Sequence, residues 1–447
     1  MIEKVLIANR GEIAVRIIRA CREMGIKSVA VYSKGDMDSL HAQLADEAIC
    51  IGPAALSESY LNTYAILSAA AVSGADAIHP GYGFLSENSR FARMCVKCGI
   101  KFIGPTPETM DLMGDKIGAR RLMKENGVPI TPGTTDPLES PEEAMEVADS
   151  IGYPVMIKAS AGGGGRGIRK VTRREDIKDA YMSAHAEAEA AFGDGTLFME
   201  KCIVNGRHIE VQILADEHGN AVHLFERECS LQRRNQKVME EAPSSCLTPE
   251  KRAEMGEAAL RAVKASGYTN AGTIEFLVEG DNYYFMELNA RVQVEHPVTE
   301  MATGIDIVKQ QLLIASGEEL AIRQDDIRLL GHAIECRINA EDTYNNFMPS
   351  IGRIKMLHVP GGPGVRFDSM LYTGYVVTPY FDSMVGKLIC MDTDRESAMA
   401  KMRSALTELV IDGVETNIDF QLDLLTNKKV LRGELDTGLV ERIMEEM

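Results

Sequence analysis

Over its first hundred residues the chain alternates short apolar runs with segments of helical period, and that alternation confines it to a parallel, doubly wound sheet. Lys4 to Ala8 reads as a strand. Glu12 to Met24 reads as a helix, its apolar stripe of Ile13, Ala14, Ile17, Ile18 and Cys21 closing at Gly25. Strand Lys27 to Tyr32, helix Tyr60 to Val72, strand Ala77 to His79, helix Ser89 to Cys98 and strand Lys101 to Ile103 continue the series. The first strand-to-helix turn, Asn9-Arg10-Gly11, lacks the glycine triplet of a dinucleotide fingerprint, which argues against a nicotinamide site there.

The rest of the chain must hold more than this one domain, because 447 residues at roughly 150 per domain make about three. A helix over Pro107 to Asn126 and another over Pro141 to Ile151 lead into a second unit. That unit has strand Pro154 to Lys158, a glycine loop, strand Gly167 to Val171, helix Arg174 to Phe192 and strand Thr196 to Lys201. A larger α+β portion begins near Ile203, with strands at Ile209 to Ala215, Ala221 to Glu228, Gly272 to Val278, Asn282 to Leu288 and His332 to Asn339. A net charge of −18 argues against nucleic acid as a partner. No apolar run approaches the ~20 residues of a membrane span, and the N-terminus carries no leader pattern. Nine scattered cysteines predict a reducing compartment, so a cytoplasmic protein is expected, with Cys95 and Cys98 packed in a helix rather than ligating zinc.

Three constellations carry chemistry. Gly162, Gly164 and Gly167 sit in a loop between two strands, the context of a hairpin folded over nucleotide phosphates, and Lys158 on the entering strand adds a point charge. Glu275 and Glu287 each interrupt an otherwise apolar strand, with Asn289 two residues beyond; if the strands are neighbours facing one side, they form a hard oxygen cluster suited to Mg²⁺. Arg291, Gln293 and Glu295 follow at strand period, predicting one face that combines cation, amide and carboxylate for a small oxyanion with a proton to lose. The donor-rich run Gln232 to Lys237 fits a pocket rim or a solvated loop.

Long motifs make a specific resemblance. Ile7-Ala8-Asn9-Arg10-Gly11-Glu12-Ile13-Ala14, the run from His79-Pro80-Gly81-Tyr82 to Ser86-Glu87-Asn88, Met113-Gly114-Asp115-Lys116 and Gln293-Val294-Glu295-His296-Pro297 together resemble biotin carboxylase, an enzyme of the ATP-grasp fold, over essentially the whole chain. The resemblance implies an α/β and α+β architecture. An N-terminal Rossmann-like domain would span 1–113, a connecting segment 114–130, an ATP-grasp lid 131–202 and a catalytic domain 203–447, with a C-terminal subdomain from about 331. It further implies that Lys116, Lys158, Glu200, Lys201, Cys202, Ile203, His208 and Asn235 hold ATP with Gly164 and Gly165, joined by Glu275 and Glu287. Two Mg²⁺ or Mn²⁺ ions would lie on Glu275, Glu287 and Asn289; bicarbonate on Lys237, Arg291, Gln293 and Val294; and biotin by Arg337 and Tyr82, with Glu295 as base. Asn235 departs from the family's usual His, and Ala161 and Ala290 are further departures, none removing a charged catalytic group.

The activity so implied is ATP-dependent carboxylation of biotin through carboxyphosphate, most simply as the first half-reaction of an acetyl-CoA carboxylase in fatty acid synthesis. The alternatives are a subunit of a pyruvate or propionyl-CoA carboxylase, another ATP-grasp ligase, or a non-catalytic nucleotide sensor. Ala398-Met399-Ala400-Lys401-Met402 mimics a biotin-bearing motif but lies in a helical stretch, Arg395 to Leu409, so biotin is expected to arrive on a separate biotin carboxyl carrier protein. Carboxyltransferase subunits and a homodimer are the other partners implied by the resemblance.

Overall fold

The computed structural model describes residues 1–160 and 167–446. Strands β1 (Lys4–Ile7), β2 (Lys27–Tyr32), β3 (Glu47–Cys50), β4 (Ala77–His79) and β5 (Lys101–Phe102) form an all-parallel sheet in the order β3-β2-β1-β4-β5. That is the doubly wound topology expected of alternating strand and helix. Helices are delimited as the sequence directs: Asn62 and Asn88 cap Thr63–Ser73 and Ser89–Lys97 with side-chain acceptors, and Gly74 ends the first in the left-handed region.

The predicted single helix from Pro107 to Asn126 is two. Pro107–Gly114 and Lys116–Glu125 are separated by Asp115, which is extended at φ −79°, ψ 101°. The break sets Lys116 at a helix start. In the next unit β6 (Val155–Ala159), β7 (Ile168–Val171) and β8 (Leu197–Lys201) form a three-stranded antiparallel sheet in the order β7-β6-β8, with Pro141–Ile151 and Ile177–Phe192 packed on it around Ile157, Ala184 and Met199.

The remaining strands make one eight-stranded antiparallel sheet. It joins β9 (Arg207–Ala215), β10 (Ala221–Arg233), β11 (Gln236–Ala242), β12 (Asn270–Glu279), β13 (Asn282–Asn289) and β14 (His332–Asn339) in the order β13-β12-β9-β10-β11-β14, then strands Met384–Asp392 and Val365–Ser369. Alternation splits its faces. Ile209, Val211, Ile213, Ile274 and Phe276 pack with Met255, Ala258 and Ala262 of helix Pro249–Ser266, leaving His208, Glu210 and Glu275 on the opposite face. The parallel sheet is not a separate body: Val5, Ile13 and Ile17 share one apolar cluster with Leu214, Leu224 and Val292 of the larger unit. Cys95 is buried in a helix as expected, but Cys98 stands exposed at the C-cap of that helix rather than packed, because the helix ends at Lys97; all nine cysteines are free. No described helix is long and apolar enough to cross a membrane.

Candidate active site

Two local irregularities aim the charged side chains. Glu275 pairs with Glu287 across β12 and β13, but Phe276 pairs with Phe285, so Met286 is an extra residue. In a regular strand Phe285 and Glu287 would share a face; the bulge lets Phe285 stay in the core while Glu287 turns to join Glu275. On β11 the pairs Leu231 with Met239 and Gln232 with Lys237 leave Val238 as the extra residue, which brings Lys237 and Glu240 to one side.

Lys237 is the hub. Its Nζ donates to Glu295 Oε1 at 2.5 Å, Glu210 Oε2 at 2.6 Å, and Glu275 Oε1 and Gln293 Oε1 at 3.1 Å each. Burial disfavours the ammonium, yet Glu210, Glu275 and Glu295 outweigh that and hold its pKa well above the ordinary lysine value. Burial also pushes the Glu295 carboxyl up, but Lys237, Arg337 and Arg227 overcome it, leaving Glu295 ionised far below the usual carboxylate range. Arg337 Nη2 donates to Glu295 Oε2 at 3.0 Å, so the expected base lies between two cations. Glu275 likewise stays well below its ordinary value because Lys237 and His208 outweigh burial.

Arg291 to Glu295 do not continue as a strand. β13 ends at Asn289, Pro297 sits in the first turn of helix His296–Thr303, and the intervening residues bend with Val292 buried. Arg291 therefore does not share a face with Gln293 and Glu295. It donates to Glu87 Oε2 and Asn289 Oδ1, both at 3.0 Å, while Gln293 and Glu295 converge on Lys237. The Val294 carbonyl accepts from Lys387 Nζ at 2.7 Å.

Toward the three-stranded sheet, Lys158 donates to Glu200, which also accepts from Arg120 at 2.7 Å. Lys116 faces them: burial lowers its pKa, with Glu287 and Glu200 opposing and Lys158 adding to the fall. Four of the predicted nucleotide residues thus share one cleft. Lys201 does not join them through its side chain, whose Nζ donates to the carbonyls of Gly152 at 2.8 Å and Tyr153 at 2.9 Å. Cys202 and Ile203 are half-buried at the end of β8, and His208 Nε2 lies 3.2 Å from Glu275 Oε2. Asn235 stands exposed in the turn between β10 and β11, where it and Arg234 both have positive φ. Gly162, Gly164 and Gly165 lie outside the described residues.

The donor set beside the cleft fits a hard divalent cation. Glu275 and Glu287 present facing carboxylates and Asn289 an amide oxygen, which already accepts from Arg291 and would lend a second lone pair. Tyr82 donates its hydroxyl to Glu12, whose Oε1 lies 3.0 Å from Lys387 Nζ.

The comparisons with known proteins agree along the length of the chain. Residues 1–110 match the biotin carboxylase N-terminal domain, 115–323 the ATP binding domain of the carbamoyl-phosphate synthase L chain, and 335–442 the biotin carboxylase C-terminal domain. Biotin carboxylase 1 of Bacillus subtilis is 54% identical, over 99% of this chain and 98% of its own. The chain belongs to the biotin carboxylase family. It is accordingly an ATP-grasp enzyme of ATP-dependent biotin carboxylation. Another family member, a pyruvate carboxylase subunit from Methanothermobacter thermautotrophicus, is 53% identical over 99% of this chain and 90% of its own. The Campylobacter jejuni biotin carboxylase, solved as a β,γ-ATP complex, superposes with a TM-score of 0.96 at 50% identity, covering 99% of each chain. The biotin carboxylase domain dimer of Hydrogenobacter thermophilus 2-oxoglutarate carboxylase, solved with MgADP and bicarbonate, gives 0.93 at 50% identity, covering 99% of this chain and 98% of that one.

Sequence reasoning missed several members of this biotin carboxylase site. Glu210, fully buried, anchors both Lys237 and Arg227; Arg227 in turn donates to Glu210 at 2.5 Å, Gln212 at 2.8 Å and Thr299 at 2.9 Å. Glu240 holds Arg337 and Glu87 holds Arg291. The signal for Glu210 was the one that exposed Glu275, a lone carboxylate within a strand of branched residues, Ile209, Val211 and Ile213.

Proposed function

We propose that the chain binds MgATP between the lid and the large sheet, activates bicarbonate at Lys237, Arg291 and Glu295, and transfers the carboxyl group to biotin beside Arg337. The observation that carries this reading is the placement of Glu295, with one oxygen on Lys237 at 2.5 Å and the other on Arg337 at 3.0 Å. A carboxylate so paired is a weak base. Bicarbonate entering between Lys237, Arg291 and Gln293 would draw Lys237 toward its own oxygens, which restores basicity to Glu295 at the moment a proton must be taken. The deprotonated anion attacks the γ-phosphorus of ATP, the bond to the β-phosphate oxygen breaks, and carboxyphosphate and ADP result. Lys116 and Lys158, which lie close to each other and to Glu200, would neutralise the phosphates, and their proximity supports that role. Mg²⁺ or Mn²⁺ held by Glu275, Glu287 and Asn289 would supply further charge neutralisation. Carboxyphosphate splits to CO₂ and phosphate, phosphate takes the N1′ proton of biotin, and Arg337 stabilises the ureido oxygen while nitrogen captures CO₂.

Biotin comes on a separate biotin carboxyl carrier protein in this reading, with carboxyltransferase subunits completing the reaction, in the cytoplasm and with the chain as a homodimer. Likeness to the dimeric domain of 2-oxoglutarate carboxylase supports the dimer. Acetyl-CoA is the acceptor we favour; pyruvate is the second, on the strength of 53% identity to a pyruvate carboxylase subunit. ATP hydrolysis that requires bicarbonate and rises on adding free biotin is the expected result, whereas indifference to biotin would move the chain to another ligase activity. Co-purification of the tagged chain with its carboxyltransferase decides the acceptor.

A further inference from the structure

The floor beneath Arg337 holds more carboxylate oxygens than its cations satisfy. Arg337 shares a face of β14 with Glu335, and Glu335 lies directly opposite Glu240 on β11. Glu240 receives Arg337 through one oxygen only: Nε donates to Oε1 at 2.6 Å, and Nη2 lies 2.5 Å from the same atom. Its Oε2 is buried without a partner, and so are both oxygens of the fully buried Glu335. Two ionised carboxylates directly opposite each other, with three bare oxygens out of water, would be strongly unfavourable.

A single proton resolves this. As a carboxylic acid, Glu335 has an O–H to donate toward Glu240 Oε2, and the remaining charge stays on Glu240, where Arg337 is. We infer that Glu240 and Glu335 form a proton-sharing pair that positions Arg337 for biotin, an inference resting on the biotin-facing role proposed for Arg337 above. The other ionisable groups around the pair are Lys387, opposite Arg337 in the sheet, with Glu295 and Lys237 on the substrate side, Glu12 and Tyr82 behind Lys387, and the thiols of Cys229 on β10 and Cys336 next to Glu335. Their balance agrees with the assignment: burial and Glu240, against Lys387 and Arg337, hold Glu335 well above the carboxylate range, and burial, against Arg337, raises Glu240 to about 7.

The consequence for the reaction is a division of the guanidinium. Charged Glu240 competes with Glu295 for Arg337, fixing Nε and Nη2 at one oxygen so that the guanidinium keeps an N–H aimed at the ureido oxygen. Without Glu240, Arg337 would have Glu295 as its remaining hydrogen-bonded anchor and would turn away from biotin, while Glu295 still serves bicarbonate on its Lys237 side.

The experiment measures two rates on the full-length protein: bicarbonate-dependent ATP hydrolysis without biotin, and carboxylation of free biotin. For Glu240→Gln the ratio of the second to the first should fall about 10-fold or more, through kcat for biotin. Glu335→Gln, whose amide can donate to Glu240 as the acid does, should keep the ratio within about 2-fold, and Glu335→Leu should lower it about 5-fold or more. Parallel loss of both rates in Glu240→Gln, or equal ratios in Glu335→Gln and Glu335→Leu, overturns the inference. Arg337→Ala serves as the control. Loss of biotin carboxylation there with an unchanged ratio in Glu240→Gln overturns the inference alone; an unaltered biotin response in Arg337→Ala overturns the role of Arg337 and the inference with it.

Discussion

Glu295 is held as an anion between Lys237 and Arg337, and in the mechanism proposed above it acts as base once Lys237 turns to bicarbonate. Replacing it with Ala should cost about 10²-fold or more in both bicarbonate-dependent ATP cleavage and biotin carboxylation, the usual scale for losing a general base. Near wild-type ATP cleavage in that variant would take the role of base from Glu295. Arg227 makes a different demand, since no substrate touches it in our reading. It is fully buried and pairs with Glu210. Arg227→Met should cost about 3–5 kcal/mol by leaving the buried Oε1 of Glu210 without its guanidinium while Lys237 holds Oε2, read as a lowered denaturation midpoint in urea; an unchanged midpoint would show that Lys237 alone satisfies Glu210. Much of this site was legible residue by residue. Glu275 and Glu287, with Asn289 beside them, stood out as polar groups in apolar strands, whereas Lys237 lay in a run that fits a pocket rim or a solvated loop and took its role, like Arg337, from the family resemblance. Glu240 did not, because Val238-Met239-Glu240-Glu241 gives no periodic sign of which glutamate faces Arg337 until the register of β11 is known.

Among the elements, the strands and helices named from periodicity formed, but β3, β11, strands Val365–Ser369 and Met384–Asp392 and helix Pro249–Ser266 were not read from the sequence, nor were the places where an element breaks. The stretch from Pro107 to Glu125 carries helical spacing throughout, and only the extended Asp115 reveals the interruption. Arg291 to Glu295 alternates like a strand but bends, since the helix that begins at His296 takes up the chain. Bulges at Met286 and Val238 are invisible to a period-two reading because each inserts one residue without changing composition. One glycine ties the lid strand β8 to the segment before it. A Cβ at Gly133 would lie 2.3 Å from the Met199 carbonyl oxygen and 2.7 Å from Glu200 Cα. Gly133→Ala should therefore push β8 outward and displace Glu200, raising KM for ATP by roughly 10-fold or more with about 1–3 kcal/mol of lost stability. A KM for ATP equal to that of the wild type would show that β8 does not position the nucleotide.

On the scale of the whole molecule, buried charge as well as apolar packing joins the N-terminal domain to the rest, as where Arg16 donates to Glu300 at 2.9 Å, and a second buried charge within that domain reaches the C-terminal portion through a ring. Arg10 meets Asp36 through two bonds of 2.7 and 2.8 Å, Tyr60 donates to the same carboxylate at 2.6 Å, and the Arg10 guanidinium lies 3.9 Å over the ring of Phe381 from the C-terminal portion. Burial pushes the Asp36 carboxyl up, but the Arg10 bond and charge outweigh it, so its folded pKa is below the ordinary value. Its stabilisation is then complete above the ordinary carboxylate range and is lost as pH falls through the lower folded value. Asp36→Asn should be less stable than the wild type by about 3 kcal/mol at neutral pH, with the gap in Tm closing below roughly pH 4. A gap that stays constant into acid would remove Asp36 as its source.

The ordering of the eight-stranded sheet also sets how the protein opens to solvent. β9 lies between β12 and β10, so its amides are enclosed by paired strands on both sides, whereas the lid sheet has only three strands and its own small core. Amide hydrogens of β9 should exchange with deuterium last, near the rate of global unfolding, and those of β6 to β8 well before them. The strand that carries Glu210 and His208 would then be the part of the molecule that water reaches last, while the three-stranded sheet of β6 to β8 breathes against it.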